Sequence, residues 1–236
     1  MARISLICVT YVALLCVPLR SQDSRAVRLP DPQYKGKVSV EEALKQRRSI
    51  RSYTSAQISL NDLSQVLWAA QGVTEKVERE PSWWTGSKWY GGFRTAPSAG
   101  ALYPLEVYAL VGNVAGLQTG TYQYHAEDHS LLKLTTEDKR PALLEAALRQ
   151  ESIKEGAAVL VITGVVARTA IKYGERAQRY VCMEAGSVAQ NVYLQSQSLG
   201  LGTVLIGAFR DAGVKEALKL PADEDPLVIM PIGRKQ

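Results

Sequence analysis

Apolar residues recur along the chain in two rhythms, one every second position and one every three to four. Alternating or continuous apolar runs predict strands. Leu105–Val111 (LEVYALV) is the cleanest, and Ala157–Thr163 (AAVLVIT) has the length and composition of a buried strand. Thr203–Ile206 and Pro226–Ile232 (PLVIMPI) read the same way. A hairpin-like pair is predicted over Gly120–Tyr124 and Ser130–Leu134, turning at Glu127-Asp128. The wider rhythm predicts helices. The first runs from Ser39 to Arg47, with Ser39 and Glu42 in capping-box positions. The second runs from Ser59 to Gln71, with Ser59 and Asp62 as a cap pair and Leu63, Val66, Leu67 and Ala70 on its apolar face. Further helices are predicted over Glu137–Leu148, Val165–Tyr173, Arg176–Leu199 and, capped by Asp211, to Leu218. The long one is apolar around much of its circumference, as in a helix that is buried or lies at a dimer interface. Gly186 at its middle costs about 1 kcal/mol relative to Ala, which predicts a close approach there. Helices interspersed with hairpin-linked strands give an α+β fold, a mainly antiparallel central sheet packed by helices.

Outside these elements the chain has three other regions. Residues 1–20 carry a positive start and an apolar run, Ile4 to Leu19, which reads as an export signal peptide or an uncleaved N-terminal anchor. Export, with membrane attachment only if the segment is retained, is the corresponding expectation. Residues 21–38 are polar, contain Pro30 and Pro32, and read as a linker or extended arm before a domain over 39–236. Residues 73–96 form a long irregular stretch with Trp83, Trp84, Trp89 and Tyr90. It reads either as a flap over a pocket or as a surface packed on a partner subunit.

The net charge of +5 includes Arg3 and Arg20 of the leader, leaving +3 on the rest. That suits small anionic ligands, and no basic run with interleaved aromatics points to nucleic acid. Cys8 and Cys16 fall in the leader and Cys182 stands alone in the body, so the body has no disulfide or thiol cluster. His125 and His129 flank a polar turn and read as exposed turn residues, with no metal partner nearby. No nucleophile elbow, zinc helix, phosphate-binding Gly-Lys loop or dinucleotide fingerprint is present.

Two segments carry candidate chemistry. Arg94–Pro104 (RTAPSAGALYP) is held at both ends by Pro97 and Pro104. Its Ser98, Ala99, Gly100 and Ala101 would let the backbone approach a flat or phosphorylated ligand, with Ser98 able to cap a short helical turn. Arg47, Arg48, Ser49 and Arg51 form a compact donor cluster suited to a phosphate and polar ring edges.

Four stretches in order, RRSIRSY (47–53), RTAPSAGALYPLEVY (94–108), KYGERAQRYVCMEAGSVAQNVYLQSQSLGLGTVLIGAF (172–209) and PLVIMPIG (226–233), resemble the nitroreductase superfamily of flavin enzymes. The likeness is greatest to its SagB-type dehydrogenase branch and covers about residues 39–234. It implies FMN held without covalent attachment at a homodimer interface. By that likeness Arg47 and Ser49 take the phosphate, with Arg48 in the same cluster, and Arg51 faces the N1/O2 side. Pro97, Ser98, Ala99 and Gly100 would pack on the ring from the neighbouring subunit. Glu184, Ala185 and Gly186 would lie near N5 chiefly as backbone donors, Ile206 and Gly207 would complete the cavity, and Arg234 would be a second phosphate cation. Lys172-Tyr173 resembles the catalytic pair of azoline oxidases in this branch, the lysine serving as base if burial lowers its pKa. Ser187 follows Gly186 where many relatives of the branch have His, and only a few residues follow the last strand. The implied activity is FMN-dependent hydride transfer through N5 to a small organic acceptor, with NAD(P)H as a transient donor. Oxidation of azoline-like heterocycles with oxygen as electron acceptor is the alternative, as is a flavin-binding or sensing protein without turnover.

Overall fold

A computed structural model of the chain describes residues 25–77 and 92–236. The leader, and the part of the Trp-rich stretch holding Trp83, Trp84, Trp89 and Tyr90, lie outside the described residues. The strands are β1 (Ala26–Arg28), β2 (Ile58–Ser59), β3 (Val73–Glu75), β4 (Phe93–Arg94), β5 (Leu105–Val111), β6 (Val114–Ala115), β7 (Gly120–His125), β8 (Ser130–Thr135), β9 (Ala158–Gly164), β10 (Leu201–Thr203) and β11 (Asp225–Arg234). The helices are α1 (Val40–Gln46), α2 (Leu60–Gln71), α3 (Arg140–Ala146), α4 (Ser152–Glu155), α5 (Val166–Tyr173), α6 (Ala177–Ser198) and α7 (Asp211–Leu218). Seven strands form one sheet in the order β1-β8-β7-β5-β9-β11-β10. Every pairing in it is antiparallel.

The sheet is buried on both faces at its centre, and the alternation of side chains sorts residues between two cores. Val107 and Ala109 of β5, Leu160 and Ile162 of β9, and Met230 of β11 face one core together with α2 and α6. Tyr108 and Leu110, Val159 and Val161, and Ile229 face the other, with α3, α4 and α7. Helices on both faces of one sheet make a three-layer α+β arrangement. Gly164 ends β9 where α6 crosses, and a Cβ there would stand 2.7 Å from Val181 Cγ1.

Local chemistry places most element ends. At α2 the capping box is complete: Asp62 N–H donates to Ser59 Oγ (3.0 Å) and Ser59 N–H to Asp62 Oδ2 (3.2 Å). At α1 only half forms, because Ser39 accepts from Glu42 N–H while the Glu42 carboxylate takes the Gln46 amide. The helix predicted from Glu137 begins at Arg140, since Thr135 and Asp138 accept backbone N–H bonds in a preceding turn. Asp211 is the first residue of α7 and makes no capping bond. The strand predicted over Thr203–Ile206 starts earlier and ends at Thr203, because Leu205 N–H donates to the Tyr193 hydroxyl (2.8 Å) and leaves the ladder.

The segment read as an arm supplies β1, which pairs with β8 at the sheet edge. His129, read from sequence as an exposed turn residue, holds it there. His129 Nε2 lies 2.8 Å from Ser64 Oγ of α2 and 3.0 Å from Pro30 O, and its Nδ1 lies 2.8 Å from the Tyr124 hydroxyl. Nε2–H donating to Ser64 Oγ, whose hydroxyl in turn donates to Pro30 O (2.6 Å), with Nδ1 accepting from Tyr124, completes the group with a neutral ring. Its left-handed backbone (φ 51°) turns the ring inward. Burial lowers the pKa of His129 below its ordinary 6.5. An unfolded chain therefore takes up this proton first. The stability carried by the neutral ring is complete above the ordinary value and is lost as pH falls through and below it. In denaturant titrations from about pH 7 to about pH 5, the stability advantage of the wild type over His129→Asn should shrink. An advantage that does not vary with pH would show that the ring is not held neutral.

Candidate functional site

The small-residue segment between β4 and β5 folds as a single 3-10 turn over Ala99–Ala101. Gly100 (φ 65°), Ala101 (φ 55°) and Tyr103 (φ 44°) all adopt left-handed backbone. That costs about 1–2 kcal/mol at each non-glycine position. Two side chains hold the shape. The Ser98 hydroxyl accepts Tyr103 N–H (2.9 Å) instead of capping the turn, and Ala99 N–H donates to Glu184 Oε1 (2.9 Å). Glu184 lies on α6 and is 5% exposed. Burial pushes its carboxyl pKa up, and its Oε2 has no hydrogen-bond partner. From sequence it was expected to act through its backbone, yet the side chain is the part engaged.

Gly100 meets the Lys172-Tyr173 pair. A Cβ on Gly100 would stand 3.0 Å from the Tyr173 hydroxyl and 3.2 Å from Lys172 Nζ. The ring of Tyr173 packs edge-on against Tyr180 of α6, which fixes its direction. Lys172 itself is exposed, so its own chain does not supply the burial expected for it.

The Arg-Ser cluster is split by the structure. Ser49 bridges Thr203 of β10, and its hydroxyl lies 2.9 Å from that of Tyr193. The Arg47 guanidinium lies over the Tyr193 ring, 5.1 Å from its centre. Arg48 folds back onto the end of α1 and donates to Lys45 O and Arg47 O. Arg51 is exposed. Arg234 is engaged by Asp62 Oδ2 (2.7 Å) and Leu199 O (3.3 Å), which ties β11 to the start of α2. Ile206 bonds Ile229 and buries its side chain in the second core, so Gly207 and the exposed Leu205 are what this turn presents outward.

Along α6, Ala185 is buried and Gly186 faces outward. Among the described residues, no atom beyond the immediate chain neighbours and the helix's own backbone lies within 4 Å of where a Cβ on Gly186 or Gly207 would stand, so the described residues do not make the close approach predicted at Gly186. Ser187 donates to Met183 O within the helix. Sequence reasoning missed Tyr193 and Leu205. The mark of Tyr193 is a phenol on the predicted buried face of α6, which requires a polar partner.

The nitroreductase family model matches residues 44–234, which include every site residue named above. The chain belongs to the nitroreductase family. It is 45% identical over 213 residues to "Putative nitroreductase MJ1384" of Methanocaldococcus jannaschii, covering 90% of this chain and 98% of that protein. It is 30% identical over 132 residues to the Microcin B17-processing protein McbC of Escherichia coli, covering 54% of this chain and 48% of McbC. Among solved structures, a nitroreductase-fold protein of Ralstonia eutropha superposes with a TM-score of 0.74 at 27% identity, covering 90% of each chain. This nitroreductase is therefore an oxidoreductase with the antiparallel α+β architecture expected of it.

Its bare Gly100 is the most sensitive position of the site. Gly100→Ala should lower the melting temperature by about 2–8 °C through backbone strain alone. It should also push the Lys172 and Tyr173 side chains from the turn. An alanine variant with unchanged melting and unchanged Tyr173 environment by NMR would refute this packing.

Proposed function

We propose that this nitroreductase is an FMN-dependent enzyme that passes hydride between a donor and a small organic acceptor at the Gly100 turn. The observation that carries this reading is the convergence of an exposed backbone turn, the Lys172 amine, the Tyr173 hydroxyl and the buried Glu184 carboxyl. A bound flavin would supply the hydride chemistry at its N5. The residues present fit such a group. Arg47 and Ser49, steadied by Tyr193, offer a cation and a hydroxyl to its phosphate, and Arg51 offers a second cation to its pyrimidine edge. Gly186 and Gly207 leave room for a flat ring, and the Pro97–Gly100 backbone presents little bulk to it. Glu184, its proton affinity raised by burial, can hold a proton on the oxygen that lacks a partner.

The exposed Ile171, Met183 and Leu205 support a homodimer in which the second copy closes this open face. In this reading NAD(P)H is a transient donor, and export depends on the leader. A second reading has support from Lys172 and Tyr173 against Gly100, and from the similarity to a protein that processes microcin B17. Here Lys172 removes a proton from the carbon of an azoline-like ring as the substrate is oxidised, with Tyr173 orienting it.

Purified protein should show a two-band flavin spectrum and release FMN on denaturation. Arg47→Ala and Ser49→Ala should lose most of the colour. Anaerobic bleaching by NADH or NADPH would support the reductase reading, and rapid reoxidation by air without a nicotinamide donor the oxidase reading. Lys172→Met should keep the colour in both, and lose turnover only in the second. A colourless protein that FMN does not reconstitute would overturn the proposal.

A further inference from the structure

Away from the Gly100 turn, a cavity of about 470 Å³ opens between the tip of the β7–β8 hairpin, the start of β5, the end of α2 and α5. Its charged lining is Arg94, Arg168, Glu106, Glu127 and Asp128, with His125 beside them. Arg168 and Glu106 form an ion pair at 2.6 Å and neutralise each other. Asp128 accepts the Ser130 hydroxyl at 2.7 Å.

Arg94 is different. It forms no ion pair among the described residues. Its Nη1 donates to the neutral Gln71 Oε1 at 3.0 Å, its guanidinium lies 4.7 Å over the Tyr103 ring, and its buried Nε has no partner. A guanidinium keeps its charge at any physiological pH; this half-buried one feels the Glu106 and Glu127 carboxylates across the cavity but spends only one of its donors on a hydrogen bond among the described residues. Opposite it, Glu127 is exposed and makes no hydrogen bond or ion pair among the described residues. The cavity thus presents a cation with unused donors at its inner end and carboxylates with unused acceptors at its mouth.

We propose that this cavity is a second ligand site, separate from the flavin-type site, for a small zwitterion that carries a carboxylate and an ammonium group, such as an amino acid or short peptide. The carboxylate takes the free donors of Arg94, and the ammonium meets Glu127 and Asp128. Bidentate geometry favours a carboxylate at a guanidinium, and the volume admits a molecule of a few residues. The site does not rest on the flavin reading. An occupant would still be felt there, because Arg94 lies on the ring of Tyr103, whose N–H is held by Ser98 of the turn.

The test is calorimetric titration of the purified protein with four probes: alanine, tri-alanine, tri-alanine amide and N-acetyl-tri-alanine. Tri-alanine should bind, the amide should bind about tenfold more weakly or worse, and the acetylated form should be weakened too. Arg94→Gln should abolish tri-alanine binding, Arg94→Lys should retain part of it, and Glu127→Gln should reproduce the loss seen on acetylation. Binding of alanine as tight as tri-alanine would assign the site to a free amino acid, and a clear preference for tri-alanine to a peptide. No binding by either would overturn the proposal. So would tri-alanine binding that is indifferent to amidation, a comparison that needs no variant to fold.

Discussion

Two strand positions without side chains decide where the segment from Arg47 to Tyr53 lies. A Cβ on Gly202 of β10 would stand 2.7 Å from Ile50, and one on Gly233 of β11 would stand 2.8 Å from Tyr53. Ile50 and Tyr53 therefore lie directly on the backbone of adjacent strands. The Tyr53 hydroxyl reaches past them and shares its one proton between Ile50 O (2.7 Å) and Pro231 O (3.1 Å). Full burial of an apolar side chain of this size contributes about 1.5–3 kcal/mol, and the half-buried Ile50 contributes less. With Ile50 and Tyr53 seated, Ser49 has one position, against Thr203 and the Tyr193 hydroxyl, and Arg47 is left over the same ring. Tyr193 in turn takes Leu205 N–H and ends β10. A compact donor set on an exposed connection is thus positioned by packing beneath it, with no salt bridge of its own among the described residues.

The Gly100 turn is held on a different principle. Its backbone is in left-handed conformation at two non-glycine residues, and that strain must be offset nearby. Ser98, Glu184 and Arg94 each hold one part of it, from within the turn, from α6 and from β4. Charge-assisted bonds to a buried carboxylate are among the stronger ones available for this. Partners on separate elements must all release before the turn relaxes, an arrangement that would suit the flat ligand proposed for it.

Local rules made much of this legible. The strand Leu105–Val111 was readable residue for residue, since both of its faces are apolar and prolines and glycines bound it. The cap of α2 and the order of helices and strands followed from chemistry within a few residues. Contacts between distant residues were not legible. His129 is 65 residues from Ser64 and 99 from Pro30, and nothing local distinguishes it from the exposed His125. Glu184 is 85 residues from Ala99, and on a helical wheel it reads as one more polar residue. Arg234 falls in the same class: it looked like a free cation at a chain end until Asp62 was brought to it. The family itself was legible in the four stretches, while the surroundings of individual side chains depended on which partner each had found.

The edge of the sheet has a consequence for handling and storage of the protein. β1 is three residues long and is followed by Pro30, and it covers one side of β8. Beneath it β8 runs six residues, SLLKLT, with Leu134 already exposed. An apolar strand of that length with free N–H and C=O groups is a template for pairing between molecules. The arm would therefore guard against self-association, and protonation of the histidine that latches it would weaken that guard. Acidified preparations would be the ones prone to fibrils and precipitates, seeded from an edge that the native molecule keeps covered.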